Sequence, residues 1–248
     1  MARIIAFANQ KGGVAKTTSV VSIGIALAEQ GFRILLVDLD PQGSLTFSLG
    51  LDPDSLEVTI HDVLLGRMPL AKVILDAGLV AVAPANIELA GSEIHLFTRT
   101  GREYELARIL EEVASDYDAI LIDCPPSLGV LTINALTAAQ EVIIPFQCEA
   151  LSQRGVAQLI DTINDVRRYT NRHLKIRGIL PTMFDARVSH SREVLDEVAR
   201  RWAIPVFDPP IRKSIRFAEA PLKGRSLLDL APKHPGAEAY RKIARELL

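Results

Sequence analysis

A glycine-rich segment near the start of the chain has the residue types that bind a phosphate chain. Residues 11–18 read Lys-Gly-Gly-Val-Ala-Lys-Thr-Thr, between an apolar run and a helix-like segment. Small residues let backbone N–H groups curl around a phosphate, and the following helix N-terminus adds positive potential. Lys16 would reach the β- and γ-phosphates of a bound nucleotide, and the Thr17 hydroxyl would bind Mg²⁺. An ordinary glycine-rich turn with an incidental lysine is disfavoured, because strand, loop and helix follow in the expected order.

Two other apolar runs end in aspartates that could serve the same phosphates. Asp38 and Asp40 follow one run, and Asp123 ends another. In a strand, Asp38 and Asp40 share a face, and Asp123 has the form of a Walker B carboxylate, which holds Mg²⁺, often through water. The sequence thus predicts Thr17, Asp38 and Asp123 as the residues around Mg²⁺. For Asp38 a second interpretation stays open, in which it only caps the following turn.

The elements that must position these residues alternate along the chain. The predicted strands are Arg3–Ala8, Ile34–Val37, Val80–Ala83, Ala119–Ile122, Val142–Pro145 and Ile176–Leu180. The predicted helices are Thr17–Gln30, Glu103–Ala114, Thr132–Ala139, Ser152–Tyr169, Ser191–Trp202 and Pro235–Leu248. This alternation predicts an α/β fold with a doubly wound, mostly parallel sheet flanked by helices, in one domain over residues 1–248. Ligands of such sheets bind at the carboxyl ends of strands, where these aspartates fall.

Composition excludes several broad classes of protein. The 248 residues are 48% hydrophobic, which is enough for a sizeable core and excludes general disorder. No apolar stretch reaches the ~18 residues that a membrane-spanning helix needs, and the N-terminal apolar run is too short for a signal peptide. The two cysteines, Cys124 and Cys148, do not make a disulfide framework. A reduced, cytoplasmic chain is therefore predicted.

Charge is divided unequally along the chain. Residues 1–150 carry 9 Lys and Arg against 19 Asp and Glu, a net charge of −10. Residues 151–248 carry 19 against 11, a net charge of +8. Such asymmetry is one sign of an anionic partner such as nucleic acid. The alternative is that the two parts neutralise each other within one fold, and charge alone does not decide between these interpretations.

Three motifs together resemble the ParA/MinD family, the deviant Walker-type P-loop ATPases. Residues 11–18 resemble the family signature Lys-Gly-Gly-Val-Gly-Lys-Thr-Thr, and residues 38–43 resemble its Asp-Leu-Asp-Pro-Gln-Gly motif. Residues 123–127 resemble Asp-x-Pro-Pro-Ser and favour the ParA branch over the MinD branch. Because the phosphate loop starts at residue 11, we expect a short ParA without an upstream helix-turn-helix domain.

The resemblance implies roles for individual residues. In the family the first lysine of the signature, here Lys11, crosses a dimer interface to the partner's nucleotide. The second aspartate of the middle motif, here Asp40, positions the water that attacks the γ-phosphate. The predicted catalytic residues are therefore Lys11, Lys16 and Asp40. The residues predicted to bind the nucleotide are Lys11, Gly12, Gly13, Val14, Ala15, Lys16, Thr17, Thr18, Pro209 and Ile211, the last two beside the adenine.

Ala15 departs from the family pattern, which usually has glycine at this position. A methyl group here must fit beside the phosphates. If the position needs a positive φ, alanine costs on the order of 1 kcal/mol relative to glycine. We expect any effect to fall on nucleotide affinity or turnover.

Two basic segments, residues 182–192 and residues 211–221, resemble ParA segments that contribute to non-specific DNA binding once the dimer forms. Arg187 and Arg216 match the family's DNA-contacting arginines, and Arg212 and Lys213 are their neighbours. Phosphate binding needs mobile cations on a shared surface, with no base-reading geometry. The alternative is a solvated helix face, or an ion pair between Arg216 and Glu219 at i,i+3 spacing.

The family's function is then the expectation for this chain. The resemblance implies a slow, Mg²⁺-dependent ATPase that forms an ATP-dependent homodimer, associates with the nucleoid and segregates chromosomes or plasmids. A ParB-like activator would stimulate hydrolysis, and related orphan proteins position other cargo. A MinD-like membrane switch would need a C-terminal amphipathic anchor, whereas residues 239–248 look like a packing helix. A nitrogenase iron protein would need cluster-binding cysteines, and a synthetase would need an acceptor pocket; we find residues for neither.

Overall fold

Every strand predicted from the sequence belongs to one sheet. The computed structural model describes residues 2–148, 152–185 and 189–248, without the side chains of residues 152, 153, 189 and 190. The strands in these ranges are β1 (Arg3–Phe7), β2 (Ile34–Asp38), β3 (Leu75–Asp76), β4 (Ala81–Ala83), β5 (Ala119–Asp123), β6 (Glu141–Gln147) and β7 (Lys175–Thr182). Their order across the sheet is β3-β4-β2-β5-β1-β6-β7. β3 pairs antiparallel with β4 and the other pairs are parallel, which confirms the predicted fold class.

Helices connect the parallel strands. In the described ranges they are α1 (Lys16–Ala28), α2 (Ser44–Ser48), α3 (Ile60–Leu64), α4 (Leu89–Phe97), α5 (Glu105–Glu111), α6 (Val130–Ala138), α7 (Ser152–Tyr169), α8 (Ser189–Trp202), α9 (Arg216–Glu219), α10 (Leu227–Leu230) and α11 (Pro235–Arg245). None of the described helices is long and apolar enough to cross a membrane.

The strands are apolar throughout because both faces of the sheet are covered. Along β1, Ile4 and Ala6 point into one core, and Ile5 and Phe7 point into the other. Residues of α3 to α8 belong to the first core, and residues of α1, α10 and α11 belong to the second. A Cβ atom on Gly24 would lie 2.6 Å from a side-chain carbon of β2, so the glycine lets α1 pack closely on the sheet.

The register of the central strands brings their carboxyl ends level. Phe7 at the end of β1 lies opposite Asp123, and Asp38 at the end of β2 also lies opposite Asp123. The loop after β1 and the two aspartates therefore meet at one edge of the sheet. This is the edge where ligands bind in open α/β sheets.

Candidate functional site

The loop between β1 and α1 leaves the first turn of α1 available to an anion. In this described segment no side chain caps the helix, and its first turn contains no acidic residue. Gly13 has φ 72°, which suits a glycine in a tight turn. Unpaired N–H groups at a helix N-terminus carry positive potential toward a phosphate. The loop therefore has the local structure expected of a phosphate-binding site.

Ala15 adopts the left-handed conformation that the family's glycine would adopt freely. Its φ and ψ are 60° and 34°, directly before the first residue of α1. Because φ is positive here, the alanine costs on the order of 1 kcal/mol relative to glycine. The Ala15 carbonyl accepts hydrogen bonds from the backbone N–H of Ser19 at 3.0 Å and from its hydroxyl at 2.7 Å. These bonds attach the strained residue to the first turn of α1.

The two lysines of the loop lie close to each other. Lys16 is buried, and its Nζ lies 3.5 Å from the carbonyl oxygen of Lys11. Lys11 is half-buried, and its Nζ lies 3.4 Å from Oε1 of Gln147. The buried lysine can therefore reach a phosphate held by the loop, while the other lies at the rim.

Asn9 fixes the start of the loop, and the sequence analysis missed it. Its amide nitrogen donates to the carbonyl oxygen of Pro145 in β6 at 2.7 Å. Its amide oxygen accepts the backbone N–H of Lys11 at 2.9 Å. Asn9 lies two residues before Lys11 and is buried, and a buried amide must find partners. A polar residue at the end of an apolar strand, just before the phosphate loop, is the sequence feature that could have indicated this role.

Thr17 and Asp123 form the centre of the site. The Thr17 hydroxyl donates to Oδ2 of Asp123 at 2.6 Å. Oδ1 of Asp123 is buried and has no hydrogen-bond partner within the described residues. Burial, followed by the charge of Asp38, raises the pKa of Asp123 to about 8, and the Thr17 bond and Lys16 oppose this. A buried, unpartnered carboxylate oxygen beside a hydroxyl is a suitable environment for a divalent cation.

The donor set fits Mg²⁺ bound together with a nucleotide. The described residues contain no group of three or more His, Cys, Asp or Glu that could hold a metal alone. Mg²⁺ commonly takes one or two protein oxygens and fills its shell with phosphate oxygens and water. Thr17 and Asp123 could supply those protein oxygens. The same cation would favour the ionised form of Asp123.

Asp38 is engaged in local hydrogen bonds. Its Oδ1 accepts the backbone N–H of Asp40 at 3.1 Å, and its Oδ2 accepts the N–H and the hydroxyl of Thr46 at 2.9 and 2.8 Å. Burial raises the pKa of Asp38 to about 6, and the Thr46 bonds oppose this. These contacts agree with the second interpretation left open by the sequence, in which Asp38 caps the turn that follows β2. Its role near Mg²⁺ stays a prediction.

Asp40 lies where a carboxylate could meet a nucleotide. It is half-buried, two residues beyond Asp38, and its Oδ1 accepts the backbone N–H of Gln42 at 3.0 Å. Its charge contributes to the raised pKa of Asp123, so the two carboxylates belong to one electrostatic site. This arrangement is compatible with orienting a water molecule.

A cavity of about 340 Å³ adjoins the phosphate loop. The residues that line it are Ala15, Thr18, Met183, Ile211, Arg212, Lys213, Ser214, Ile215, Phe217, Ala218 and Tyr240. The structure thus brings Ile211, one of the two residues predicted beside adenine, to the loop. Pro209 instead lines a separate groove against α11. The two residues are close in sequence but face different surfaces.

The predicted DNA-binding residues are exposed where the structure describes them. Arg212 and Lys213 are exposed, and Arg216 begins α9. Arg216 also forms the ion pair with Glu219 that the sequence offered as the alternative, at 2.9 Å. Both partners are largely exposed, so this pair contributes little energy. Arg187 lies outside the described residues.

Cys124 is a buried strand-end residue, as predicted. It follows Asp123 directly, and burial together with that carboxylate holds the pKa of its thiol well above the usual range. A thiolate is the reactive form of cysteine. Cys124 is therefore unsuited to act as a nucleophile.

Comparison with known proteins identifies relatives that cover nearly the whole chain. Residues 2–176 match the sequence family described as AAA domain. The chain is 43% identical over 249 residues to the sporulation initiation inhibitor protein Soj of Bacillus subtilis, covering 100% of this chain and 98% of that protein. It is 42% identical over 250 residues to the chromosome partitioning protein ParA of Caulobacter vibrioides, covering 99% and 94%.

A solved structure extends the comparison to bound ligands. It is described as cobyrinic acid a,c-diamide synthase from Mycobacterium smegmatis, and it matches with 53% identity and a TM-score of 0.89 over 100% of this chain and 94% of that one. That protein has been solved with ADP and magnesium and with an ATP analogue and magnesium. These ligands agree with the predicted cofactors, ATP and Mg²⁺. By its full-length identity to Soj and ParA, the chain belongs to the ParA/MinD family of deviant Walker-type P-loop ATPases.

Proposed function

We propose that this chain is an ATP-dependent dimerising switch that binds DNA without sequence preference and hydrolyses ATP. In this proposal the dimer associates with the nucleoid, and a ParB-like partner stimulates hydrolysis and releases it. The activity serves the segregation of chromosomes or plasmids, and the relative from Caulobacter vibrioides is named a chromosome partitioning protein. An orphan relative that positions other cargo would use the same cycle.

One observation carries the catalytic part of the proposal. The Thr17 hydroxyl donates to Oδ2 of Asp123, whose buried Oδ1 has no hydrogen-bond partner among the described residues. Both groups lie beside the N-terminus of α1, which no side chain caps in the described part of the chain. Phosphoryl transfer requires mainly positioning and charge neutralisation, which such a site supplies. Lys16 and the first turn of α1 would hold the phosphates, and Thr17 and Asp123 would hold Mg²⁺. When bound, the cation neutralises developing charge on the phosphate oxygens.

The remaining steps belong to Asp40 and Lys11. Asp40 orients the attacking water and accepts its proton through the carboxylate, as a general base. Lys11 at the rim of the loop extends to the nucleotide of a second copy, where its charge acts like an arginine finger. The nucleotide of one copy is therefore contacted both by its own Asp40 and by Lys11 of the second copy. Hydrolysis and dimerisation then depend on the same bound nucleotide.

The DNA part of the proposal is supported by charge. Residues 151–248 carry a net charge of +8, and Arg212, Lys213 and Arg216 are exposed on one segment that also walls the cavity beside the loop. Dimerisation would double these cations on one surface, so the second contact becomes effectively intramolecular. Binding would therefore depend on ATP.

A second candidate is ATP-dependent amide synthesis, because the relative at 53% identity is described as a diamide synthase. An enzyme that releases ammonia from glutamine through a thiolate needs a reactive cysteine. Burial raises the pKa of Cys148 to about 12 and that of Cys124 further, so neither cysteine is suited to this step. ATP consumption that depends on cobyrinic acid with glutamine or ammonia would favour the synthase.

A MinD-like membrane switch is the third candidate. The apolar face of α11 includes Tyr240 and Ile243, which are completely buried in the core shared with α1. That face is therefore not available to lipid in this fold. Co-sedimentation of the ATP-bound protein with anionic vesicles, measured beside DNA binding, separates this candidate from the proposal.

The experiment that tests the switch directly is light scattering of the purified protein. We expect a monomer with ADP and a dimer with ATP, or with a non-hydrolysable ATP analogue and Mg²⁺. An unchanged mass in all nucleotide states would contradict the proposal. A synthase that does not use ATP-dependent dimerisation would show such an unchanged mass.

A further inference from the structure

Thr46 joins three segments of the chain at the nucleotide edge of the sheet. It lies on α2 and is completely buried. Its hydroxyl donates to Oδ2 of Asp38 at the end of β2, at 2.8 Å. The same hydroxyl accepts the backbone N–H of Ala85, which follows β4, at 3.0 Å. Its own backbone N–H also donates to Oδ2 of Asp38, at 2.9 Å. The hydroxyl therefore uses both its donor and its acceptor capacity.

The same carboxylate connects Thr46 to Asp40. Oδ1 of Asp38 accepts the backbone N–H of Asp40 at 3.1 Å. Residues 40–46, the loop that leads into the first turn of α2, thus have their two ends attached to the two oxygens of one buried side chain. The Asp40 carboxylate lies on this loop, so its position depends on how firmly both ends are held.

The middle of the loop packs closely against two other segments of the chain. Gly43 has φ 61°, and a Cβ atom there would lie 2.9 Å from the carbonyl oxygen of Ala85 and 2.9 Å from Cγ of Pro53. Gly43 therefore packs against the residue that donates to the Thr46 hydroxyl. Thr46, at the end of this loop on α2, contacts both the end of β2 and the segment after β4.

We propose that Thr46 is a positioning residue for ATP hydrolysis, which acts through Asp38 and the 40–46 loop to hold Asp40 in place. This inference rests on the proposed role of Asp40 in orienting the attacking water. Without the hydroxyl, Oδ2 of Asp38 loses a donor and the N–H of Ala85 loses its acceptor, both in a buried environment. The phosphate loop, with Lys16 and Thr17, is not part of this network. Nucleotide binding should therefore survive the change.

The critical comparison is Thr46→Val against Thr46→Ser. Valine keeps the side-chain shape and removes the hydroxyl, while serine keeps the hydroxyl and removes the methyl group. Ser48→Ala is the matched control, because the Ser48 hydroxyl lies on the same helix but donates to the carbonyl oxygen of Ser44. Each variant is measured for ATP affinity, for single-turnover hydrolysis and for melting temperature.

We expect Thr46→Val to bind ATP within about twofold of the parent chain and to hydrolyse it about tenfold to hundredfold more slowly. Thr46→Ser should recover most of the rate, and Ser48→Ala should match the parent. If Thr46→Val does not fold, Thr46→Ala is measured under the same expectation. Unchanged hydrolysis, an equal loss in the valine and serine variants, or loss of ATP binding or folding in both hydroxyl-free variants would overturn the inference.

Asp40→Ala, measured in the same series, distinguishes the two claims. If it hydrolyses ATP normally, the proposed role of Asp40 is wrong, and any rate loss in Thr46→Val has another cause. If Asp40→Ala is slow while Thr46→Val is normal, the proposed role of Asp40 stands and only the inference about Thr46 fails.

Discussion

Asp38 and Asp123 lie opposite each other at the ends of the adjacent parallel strands β2 and β5, and both are completely buried. Asp38 accepts three hydrogen bonds, whereas Oδ1 of Asp123 has no partner within the described residues. The two neighbouring carboxylates thus differ in their hydrogen bonding. One holds the backbone of the loop that follows it, and the other is left available for a ligand.

The pH dependence of stability should report the burial of Asp123. The unfolded chain releases this proton near the ordinary pKa of 3.8, whereas the folded chain holds it until about pH 8. The folded chain binds more protons in that interval, so the stability of the nucleotide-free protein should fall as pH rises from about 4 to about 8. Asp38, with its pKa raised to about 6, adds to the lower part of this range.

Asp123→Asn checks this expectation by removing the charge. At pH 8 we expect the nucleotide-free variant to melt at least about 2–4 °C above the parent, which corresponds to about 1 kcal/mol for a chain of this size. The pH slope should flatten, while Mg²⁺-dependent ATP binding weakens. Thermal melts at several pH values measure both effects. A variant that is less stable than the parent at pH 8 would contradict the assignment.

Lys11→Ala should separate nucleotide binding from dimerisation. The Lys11 side chain lies at the rim of the loop, whereas Lys16 is buried within it. We therefore expect Lys11→Ala to bind ATP yet remain monomeric in light scattering. Lys242→Ala is the control, since Lys242 is exposed and pairs with Asp208 away from the loop. A dimer of Lys11→Ala equal to that of the parent would exclude a role for Lys11 across the interface.

Lys16→Ala and Asp40→Ala should fail at different steps. Lys16→Ala removes the buried cation of the phosphate loop, so it should lose ATP binding. Asp40→Ala should bind ATP and dimerise, but hydrolyse about a hundredfold more slowly, because the attacking water loses its orienting carboxylate. Equilibrium titration with a fluorescent ATP analogue and single-turnover hydrolysis measure the two steps. Normal turnover by Asp40→Ala would remove it from the mechanism.

Arg216→Ala should weaken DNA binding without affecting basal ATP hydrolysis. Each phosphate contact releases counterions, so the variant should bind all sequences less tightly and flatten the salt slope by about one contact per subunit. Glu219→Ala is the informative counterpart, because Glu219 pairs with Arg216 in this structure. If Arg216 contacts DNA, freeing it from Glu219 should leave affinity equal or higher. No loss in Arg216→Ala would favour the ion pair on a solvated helix face.

The sequence predicts the centre of the fold because local pattern and burial agree there. Apolar runs such as Ile34–Val37 have no polar face, as two covered sheet faces require, and the aspartate that follows marks the ligand edge. The loop from residue 11 to residue 18 is predictable for the same reason, since its residue types are needed for its conformation. At Ala15 the sequence shows only that alanine would be unfavourable if φ were positive. The structure shows that φ is positive.

The remaining parts depend on contacts that no local pattern encodes. The helices α2, α3, α9 and α10 have only four or five residues, too few to display a helical period. Thr46 is an ordinary threonine in the sequence, and its partner Ala85 lies 39 residues away. Pro209 and Ile211 are two residues apart but line different surfaces. Such relationships follow from tertiary packing.

ATP-dependent binding to unrelated DNA duplexes tests the central claim most directly. The purified protein is titrated with two duplexes of different sequence, in ATP and in ADP, at several salt concentrations. The proposal predicts binding with ATP, little binding with ADP, equal affinity for both duplexes, and an affinity that falls steeply with salt. Equal affinity in ATP and ADP, or no DNA binding in either state, would contradict the account of this chain as a nucleotide-controlled DNA-binding switch.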